Sequence, residues 1–210
     1  MSTPSIVVVS AGLGVPSSSR MLADQLAESA VEALGAAGAT AEVETIELRE
    51  LALDIANHLV TGFAPPALAA VQERLAAADA LIVVSPVFSG SYSGLLKSFF
   101  DVLDPKALEG MPVLLGATGG SARHSLMLEH ALRPLFSYLR AVVVPTAVYA
   151  APQDWGAGSG DGAPGLEQRS RRAAKELVAL ILGSVGPRPA RAPEVSAPFE
   201  ELLAKIQGNR

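Results

Sequence analysis

Three short stretches of this chain carry small and hydroxyl residues in patterns that suit ligand chemistry. The first runs from Ala11 to Ser19, with Gly12, Gly14 and Pro16, and closes on Ser17-Ser18-Ser19-Arg20. The second reads Pro86-Val87-Phe88-Ser89-Gly90-Ser91-Tyr92-Ser93-Gly94, and the third Thr118-Gly119-Gly120-Ser121. The serines of the first stretch stand where a helical pattern begins. Orphan backbone N–H groups, the helix dipole and the hydroxyls there favour an anion such as a phosphate monoester, and Arg20 adds positive charge. Plain N-capping by Ser18 or Ser19 accounts for the same residues equally well. Phe88 and Tyr92 offer rings for a planar heteroaromatic to stack on, and core or interface packing is the other reading. The glycines of the third stretch let backbone approach a ligand, because no Cβ intervenes. A simple turn would look the same.

Several other chemistries are disfavoured. Gly12-Leu13-Gly14-Val15-Pro16-Ser17 lacks the third glycine of G-x-G-x-x-G. Glu47 lies far beyond the ~20-residue spacing of a ribose-binding acid, and no Gly-Lys-Ser/Thr phosphate loop is present. No G-x-S-x-G elbow supports a serine hydrolase. The three histidines are His58, His124 and His130; the last two fall about 240° apart on a helix, which argues against a shared metal. Glu129 and Arg133 read as an i, i+4 helix pair.

The elements that position the three stretches follow from apolar patterning. Ile6–Val9 and Ala80–Ser85 read as strands buried on both faces, and Pro112–Thr118 as another. Glu42–Leu48 alternates and reads as a strand nearer a sheet edge. Val142–Val148 completes a set of five. Between them, Leu22, Leu26, Ala30 and Leu34, flanked by Ala27 and Val31, form one helical stripe, stopped by Gly35 and Gly38. Leu68, Val71 and Leu75 mark a helix over 67–77, and 95–103 is apolar at helical spacing. The segment 49–66 is less regular. Ser125–Leu139 reads as a helix with Leu126, Leu132 and Leu135 apolar and with Pro134 kinking it or ending its first part. Residues 152–165 read as a flexible loop and 166–182 as the last long helix.

Strands alternating with helices predict an α/β fold: a parallel sheet covered on both faces. Five strands predict a flavodoxin-like doubly wound sheet of order 2-1-3-4-5, an α/β/α sandwich. Ligands of such folds bind beyond the carboxyl ends of the strands at the switch in strand order. Here those ends are Ser10, Ser85 and Thr118, each leading into one of the three stretches. The chain of 210 residues, at roughly 100–200 per domain, suggests one domain over 1–184. A proline-rich linker follows at 185–210, with Phe199, Leu202, Leu203 and Ile206 at the spacing of a short amphipathic helix. The formal net charge of -5 argues against nucleic acid. Zero cysteines exclude disulfides and thiolate chemistry. No signal peptide or membrane-length apolar run is read, so a cytoplasmic protein is expected.

With these stretches in place, the chain resembles the NADPH-dependent FMN reductase family, and within it the flavin reductases of two-component monooxygenases such as the alkanesulfonate system. The matching residues are Ala80-Leu-Ile-Val-Val-Ser-Pro-Val-Phe-Ser-Gly-Ser-Tyr-Ser-Gly-Leu-Leu-Lys97 and Leu115-Gly-Ala-Thr-Gly-Gly-Ser-Ala-Arg-His124, continuing into Ala131-Leu-Arg-Pro134. The resemblance implies a flavodoxin-like fold binding FMN and NADPH over about residues 5–150. It implies Ser10, Ser17 and Ser19 at the FMN phosphate. Pro86, Val87, Phe88 and Ser89 would line the isoalloxazine and ribityl region, and Thr118, Gly119, Gly120 and Ser121 the polar edge of the ring. It also implies a homodimer or homotetramer, with the helix bearing Lys97 and Asp101 at the interface. One departure stands out: His130 occupies the place of a tyrosine that shapes the tetramer interface of the alkanesulfonate reductases, so the resemblance leaves open the exact assembly and the kinetic behaviour.

The activity so implied is hydride transfer from NADPH to FMN, with reduced FMN released to a partner monooxygenase. The flavin carries the chemistry, so no acid or base is required of a side chain. Arg20 or Arg123 would favour the NADPH 2′-phosphate, unless each is a surface charge. Two alternatives remain. One is a resident-FMN reductase of quinones, azo dyes or nitro compounds. The other is a non-enzymatic flavin-binding electron carrier.

Overall fold

The computed structural model describes residues 3–155 and 165–183. Its centre is built from the continuous apolar runs. Strands β1 (Ser5–Ser10), β3 (Ala80–Phe88) and β5 (Pro112–Thr118) lie side by side and parallel, with Ile6 opposite Ala80 and Leu81 opposite Val113. Ile6, Val8, Ile82, Leu114 and their neighbours are fully buried. Each such side chain stabilises the fold by about 1.5–3 kcal/mol relative to exposure. β2 (Glu42–Glu47) pairs with β1 on its other side and forms the edge. Glu42 and Glu44 face water, and Ile46 is its one buried residue.

Two layers of helices cover the sheet. α1 (Ser18–Ala36) and α6 (Leu166–Gly183) pack over Ile6, Val8, Ile82 and Leu114. The other face, carrying Val7, Val9, Leu81 and Val83, is covered by four helices. They are α2 (Ala52–Thr61), α3 (Pro66–Ala77), α4 (Gly94–Asp101) and α5 (Arg133–Tyr138). Phe100 sits edge-on to both Phe99 and Phe136, at 5.3 and 4.9 Å, and locks α4 to α5.

The fold class and strand order agree with the patterning, but the described residues hold seven strands instead of five. The expected fifth strand is broken into β6 (Val142–Val143) and β7 (Val148–Ala150), both paired with β5. Pro145 interrupts it, having no N–H to give the ladder. Arg133 then takes the freed carbonyls of Val144 and Pro145 at 2.9 and 3.0 Å. Arg133 is therefore more than the helix partner of Glu129, which it also meets at 2.6 Å. The seventh strand, β4 (Ser91–Tyr92), returns antiparallel onto Val87 and Phe88. The second stretch, expected as a loop from Pro86 to Gly94, is thus a tight hairpin. Its turn holds Ser89 and Gly90 at φ of 50° and 79°.

Other expectations are corrected locally. Residues 49–66, expected to be less regular, hold more helix than the patterning suggests: a short 3-10 turn, Leu48–Leu51, leads into α2, and only 62–65 lie outside a regular element. The sequence hides this helix because Ile55 is its one fully buried residue, while Leu53 and Val60 face solvent. Gly62, left-handed at φ 77°, ends it. The continuous helix expected over 125–139 is instead a 3-10 turn (Ala122–His124), a π turn (Leu128–Leu132) and α5. Pro134 cannot donate to the carbonyl four residues back, and the N–H of Arg133 reaches five residues back to Leu128. Leu126 and Val31 were read as stripe residues but are exposed. The loop expected over 152–165 opens with a 3-10 turn, Pro152–Trp155, and Trp155 packs against the core under α1 and α6. The linker and amphipathic segment expected at 185–210 lie outside the described residues, as does 156–164.

Candidate functional site

β1, β3 and β5 all run in one direction, so Ser10, Pro86 and Thr118 end together at one edge of the sheet. β1 sits between β2 and β3, which places the reversal of strand order beside that edge. The three stretches meet there through specific contacts. The Ser19 and Thr118 hydroxyls, both buried, are hydrogen-bonded at 2.8 Å across 99 residues of sequence. Pro86 lies opposite Thr118 in the β3–β5 register. A Cβ built on Gly119 would stand 3.5 Å from the Val87 Cβ, so the second and third stretches touch.

The first stretch folds back onto the start of α1. Ser17 is the N-cap, its hydroxyl accepting from the N–H of Arg20 at 3.2 Å. The cap is therefore neither Ser18 nor Ser19. A side chain on Gly12 would collide with the Ser17 hydroxyl, so this glycine is needed for the cap to form. Arg20 is not free to meet an anion. Its guanidinium is held by Asp24 at 2.7 Å and Glu47 at 2.8 Å, which keep its pKa above the usual value. Arg49 approaches the other Glu47 oxygen at 2.9 Å. The Ser10 hydroxyl is 1% exposed and has no hydrogen-bond partner. An orphan buried hydroxyl is costly, and this one lies where β1 opens into the first stretch.

Of the second stretch, Pro86 and Val87 are half-buried and Phe88 and Ser89 exposed, with Phe88 at 44%. Ser85, fully buried, accepts from the N–H of Ser93 at 2.9 Å and so closes the hairpin at its base. Ser93 in turn caps α4. In the third stretch Thr118 is buried, Gly119 and Ser121 half-buried and Gly120 exposed. Among the described residues no acceptor meets the N–H of Gly120 or of Ser121. The turn is fastened to β7 twice. Gly119 donates to the Ala150 carbonyl at 3.1 Å, and the Tyr149 hydroxyl donates to the Ser121 carbonyl at 2.8 Å.

All eleven residues expected at the site thus cluster at one end of the sheet. Tyr149 was missed. Its place in a broken strand hid it, and the alternation of Val148 and Ala150 around it was the available signal. Of the remaining candidates, Arg123 and His130 are exposed, His130 within the π turn. Lys97 and Asp101 pair with each other at 2.6 Å on α4.

A doubly wound sheet with a hydroxyl-lined helix start and two small-residue turns at its switch point defines a class of nucleotide-binding α/β proteins. Residues 4–156 match the family of NADPH-dependent FMN reductases. An FMN reductase (NADPH) of Pseudomonas aeruginosa is 42% identical over 150 residues, 71% of this chain and 78% of that protein. The NADH-dependent FMN reductase SfnF of Pseudomonas fluorescens is 44% identical over 140 residues, 67% and 74% of the two. A crystal structure of an oxidoreductase from Corynebacterium diphtheriae superposes with a TM-score of 0.82 at 47% identity, covering 87% of this chain and 98% of that one. The chain belongs to the NADPH-dependent FMN reductase family, whose ligands are FMN and a reduced nicotinamide nucleotide. Among the described residues no helix is long and apolar enough to cross a membrane.

Proposed function

We propose that the three convergent stretches hold FMN and that the protein reduces it with NAD(P)H and releases it. The observation that carries this reading is the Ser19–Thr118 hydrogen bond, which joins the phosphate-suited helix start to the glycine turn. The residues present fit the group. Ser10 supplies an unpartnered buried hydroxyl. Ser17 and Ser19 stand at the start of α1, where unpaired N–H groups favour the phosphate. Pro86, Val87, Phe88 and Ser89 border the flavin ring on one side. Thr118, Gly119, Gly120 and Ser121 border its polar edge, with the N–H groups of Gly120 and Ser121 available as donors.

When bound, FMN accepts hydride from the nicotinamide. The side chains here bind, orient and exclude water, and none is required to move a proton. Phe88 and Gly120 are open to solvent, which suits a flavin that enters and leaves. Reduced FMN then passes to a flavin-dependent monooxygenase. The reaction belongs in the cytoplasm, the compartment that supplies reduced nicotinamide nucleotides. The homodimer or homotetramer interface is formed with α4, the helix that bears Lys97 and Asp101.

The test is NADPH oxidation by flavin-free protein while FMN is titrated from zero. A rate that starts near zero and saturates with FMN identifies flavin as a substrate that is released. A rate independent of added FMN but dependent on a quinone places flavin as a resident cofactor and overturns the release step.

A further inference from the structure

The third stretch depends on a residue outside it. Tyr149 lies opposite Ala117 in the β5–β7 register, and Ala150 opposite Thr118. β7 therefore runs directly beside the strand that delivers the glycine turn. The Tyr149 ring is 6% exposed and belongs to the core on the α4 and α5 face. Its hydroxyl emerges beneath the turn and donates to the Ser121 carbonyl. A Cβ on Gly119 would fall on that hydroxyl, while the ring carbon Cζ would be 3.2 Å away. Gly119 and Tyr149 are thus complementary: one lacks the atom whose place the other fills.

We propose that the Tyr149 hydroxyl is a positioning group for flavin binding, holding the Gly119–Ser121 turn so that its free N–H groups face the ligand. This rests on the reading that the turn borders the flavin. Two fastenings tie the turn to β7, the Gly119 N–H on the Ala150 carbonyl and the hydroxyl on Ser121, whose carbonyl otherwise meets, among the described residues, only the more distant His124 N–H at 3.5 Å. Removing the hydroxyl frees the far end, where the unpaired N–H groups are. Burial, with the Asp154 carboxylate adding to it, pushes the phenol above its ordinary range. The hydroxyl therefore keeps its proton, and stays a donor, at neutral pH. β7 itself is held in place. Arg169 donates to the Tyr149 carbonyl and pairs with Asp154, whose other oxygen accepts from the N–H of Ala151 at 2.8 Å.

The experiment compares Tyr149→Phe, Gly119→Ala and the double variant. FMN affinity is read by flavin fluorescence, KM for FMN and for NADPH by steady-state kinetics, and Tm by thermal melting. Tyr149→Phe is expected to raise KM for FMN about 5-fold, the scale of one net hydrogen bond, leaving kcat and KM for NADPH nearly unchanged. Gly119→Ala is expected to weaken FMN by about 20-fold, as an overpacked contact does. The double variant should recover to the level of Tyr149→Phe alone, because the new methyl then meets a ring carbon that can yield by a few tenths of an ångström. A double variant no better than Gly119→Ala overturns the proposal and leaves the flavin site standing. A Tyr149→Phe that lowers Tm with KM for FMN intact does the same. A Gly119→Ala protein that melts as wild type and binds FMN normally removes the turn from the flavin site, and the proposal with it.

Discussion

The first and third stretches end up in contact but are built in opposite ways. The first is local. Its hydroxyls, its cap and its glycine all lie within ten residues, and Gly12, Ser17 and Ser19 define one another's positions. The third depends on distant chain: its Thr118 hydroxyl meets Ser19, and its glycine turn is fastened to β7, some 30 residues on. A phosphate asks for donors that a helix start supplies by itself. The edge of a ring asks for N–H groups at fixed places, and these need an outside support. Nearness in sequence therefore separates the two halves of the site, although a single hydrogen bond joins them.

The hardest blow to the local half is Gly12→Val. Two branches at that Cβ drive into the Ser17 hydroxyl and against Ser19, 3.2 Å from the new Cβ. Both the cap and the hydroxyl pair with Thr118 are lost. FMN binding should fall by at least about 100-fold, with stability lower by about 1–3 kcal/mol. Gly120→Ala is the contrast within the supported half. Nothing lies within 4 Å of its Cβ, so Tm should hold, and any loss of FMN affinity reports the ligand alone. Equal melting losses in the two variants would mean that the halves are not built differently.

The Ser19–Thr118 bond is the next step down. Ser19→Ala strands the Thr118 hydroxyl in a buried place and should cost about 1–3 kcal/mol. Thr118→Val should cost a similar amount, and the double variant clearly less than the sum. Additive losses in urea melts would show that the two stretches do not support each other.

Legibility followed the same division. Ile6–Val9, Ala80–Ser85 and Pro112–Thr118 declared themselves because strands buried on both faces need unbroken apolar runs, and the strand order followed from the alternation with helices. The eleven residues that the family resemblance implies lie at strand ends or at the start of α1, and the strand order brings those places together. What was missed is what depends on distant chain. The Pro145 break is legible as a proline, but its repair by Arg133 comes from another element. α2 was hidden because it turns Leu53 and Val60 outward. The hairpin over 87–92 was hidden because two residue pairs are too few to show a period. Tyr149 was hidden because its role exists only once β7 lies against β5. Arg20 looked available for an anion until Asp24, four residues on, and Glu47, across the fold, were seen to hold it.

The smallest expected effect is a pH dependence confined to the supported half. Just ahead of β7, Thr146 gives both its N–H and its hydroxyl to Glu176 on α6, each at 2.7 Å. Burial alone would raise the Glu176 pKa. The two Thr146 bonds and the nearby Arg172 outweigh it and hold the carboxyl below its ordinary range. A carboxylate depressed in the folded state binds its proton more readily when unfolded. Its contribution to stability is therefore full above the unfolded pKa and is lost as the pH falls through the folded one. Acid should loosen the attachment of β7 to α6, and with it the support under Gly119–Ser121, while the capped start of α1 keeps its hydrogen bonds between neutral groups. Glu176→Gln keeps one acceptor and removes the charge. Its deficit against wild type should be present at neutral pH and vanish as the pH drops below the usual carboxylate range. Protection factors at Gly119 and Ala150, with the intrinsic slowing of exchange toward acid divided out, should fall with acid in wild type ahead of that at Arg20. If acid loosens both sites together, Glu176 is not a selective anchor of the strand that carries Tyr149.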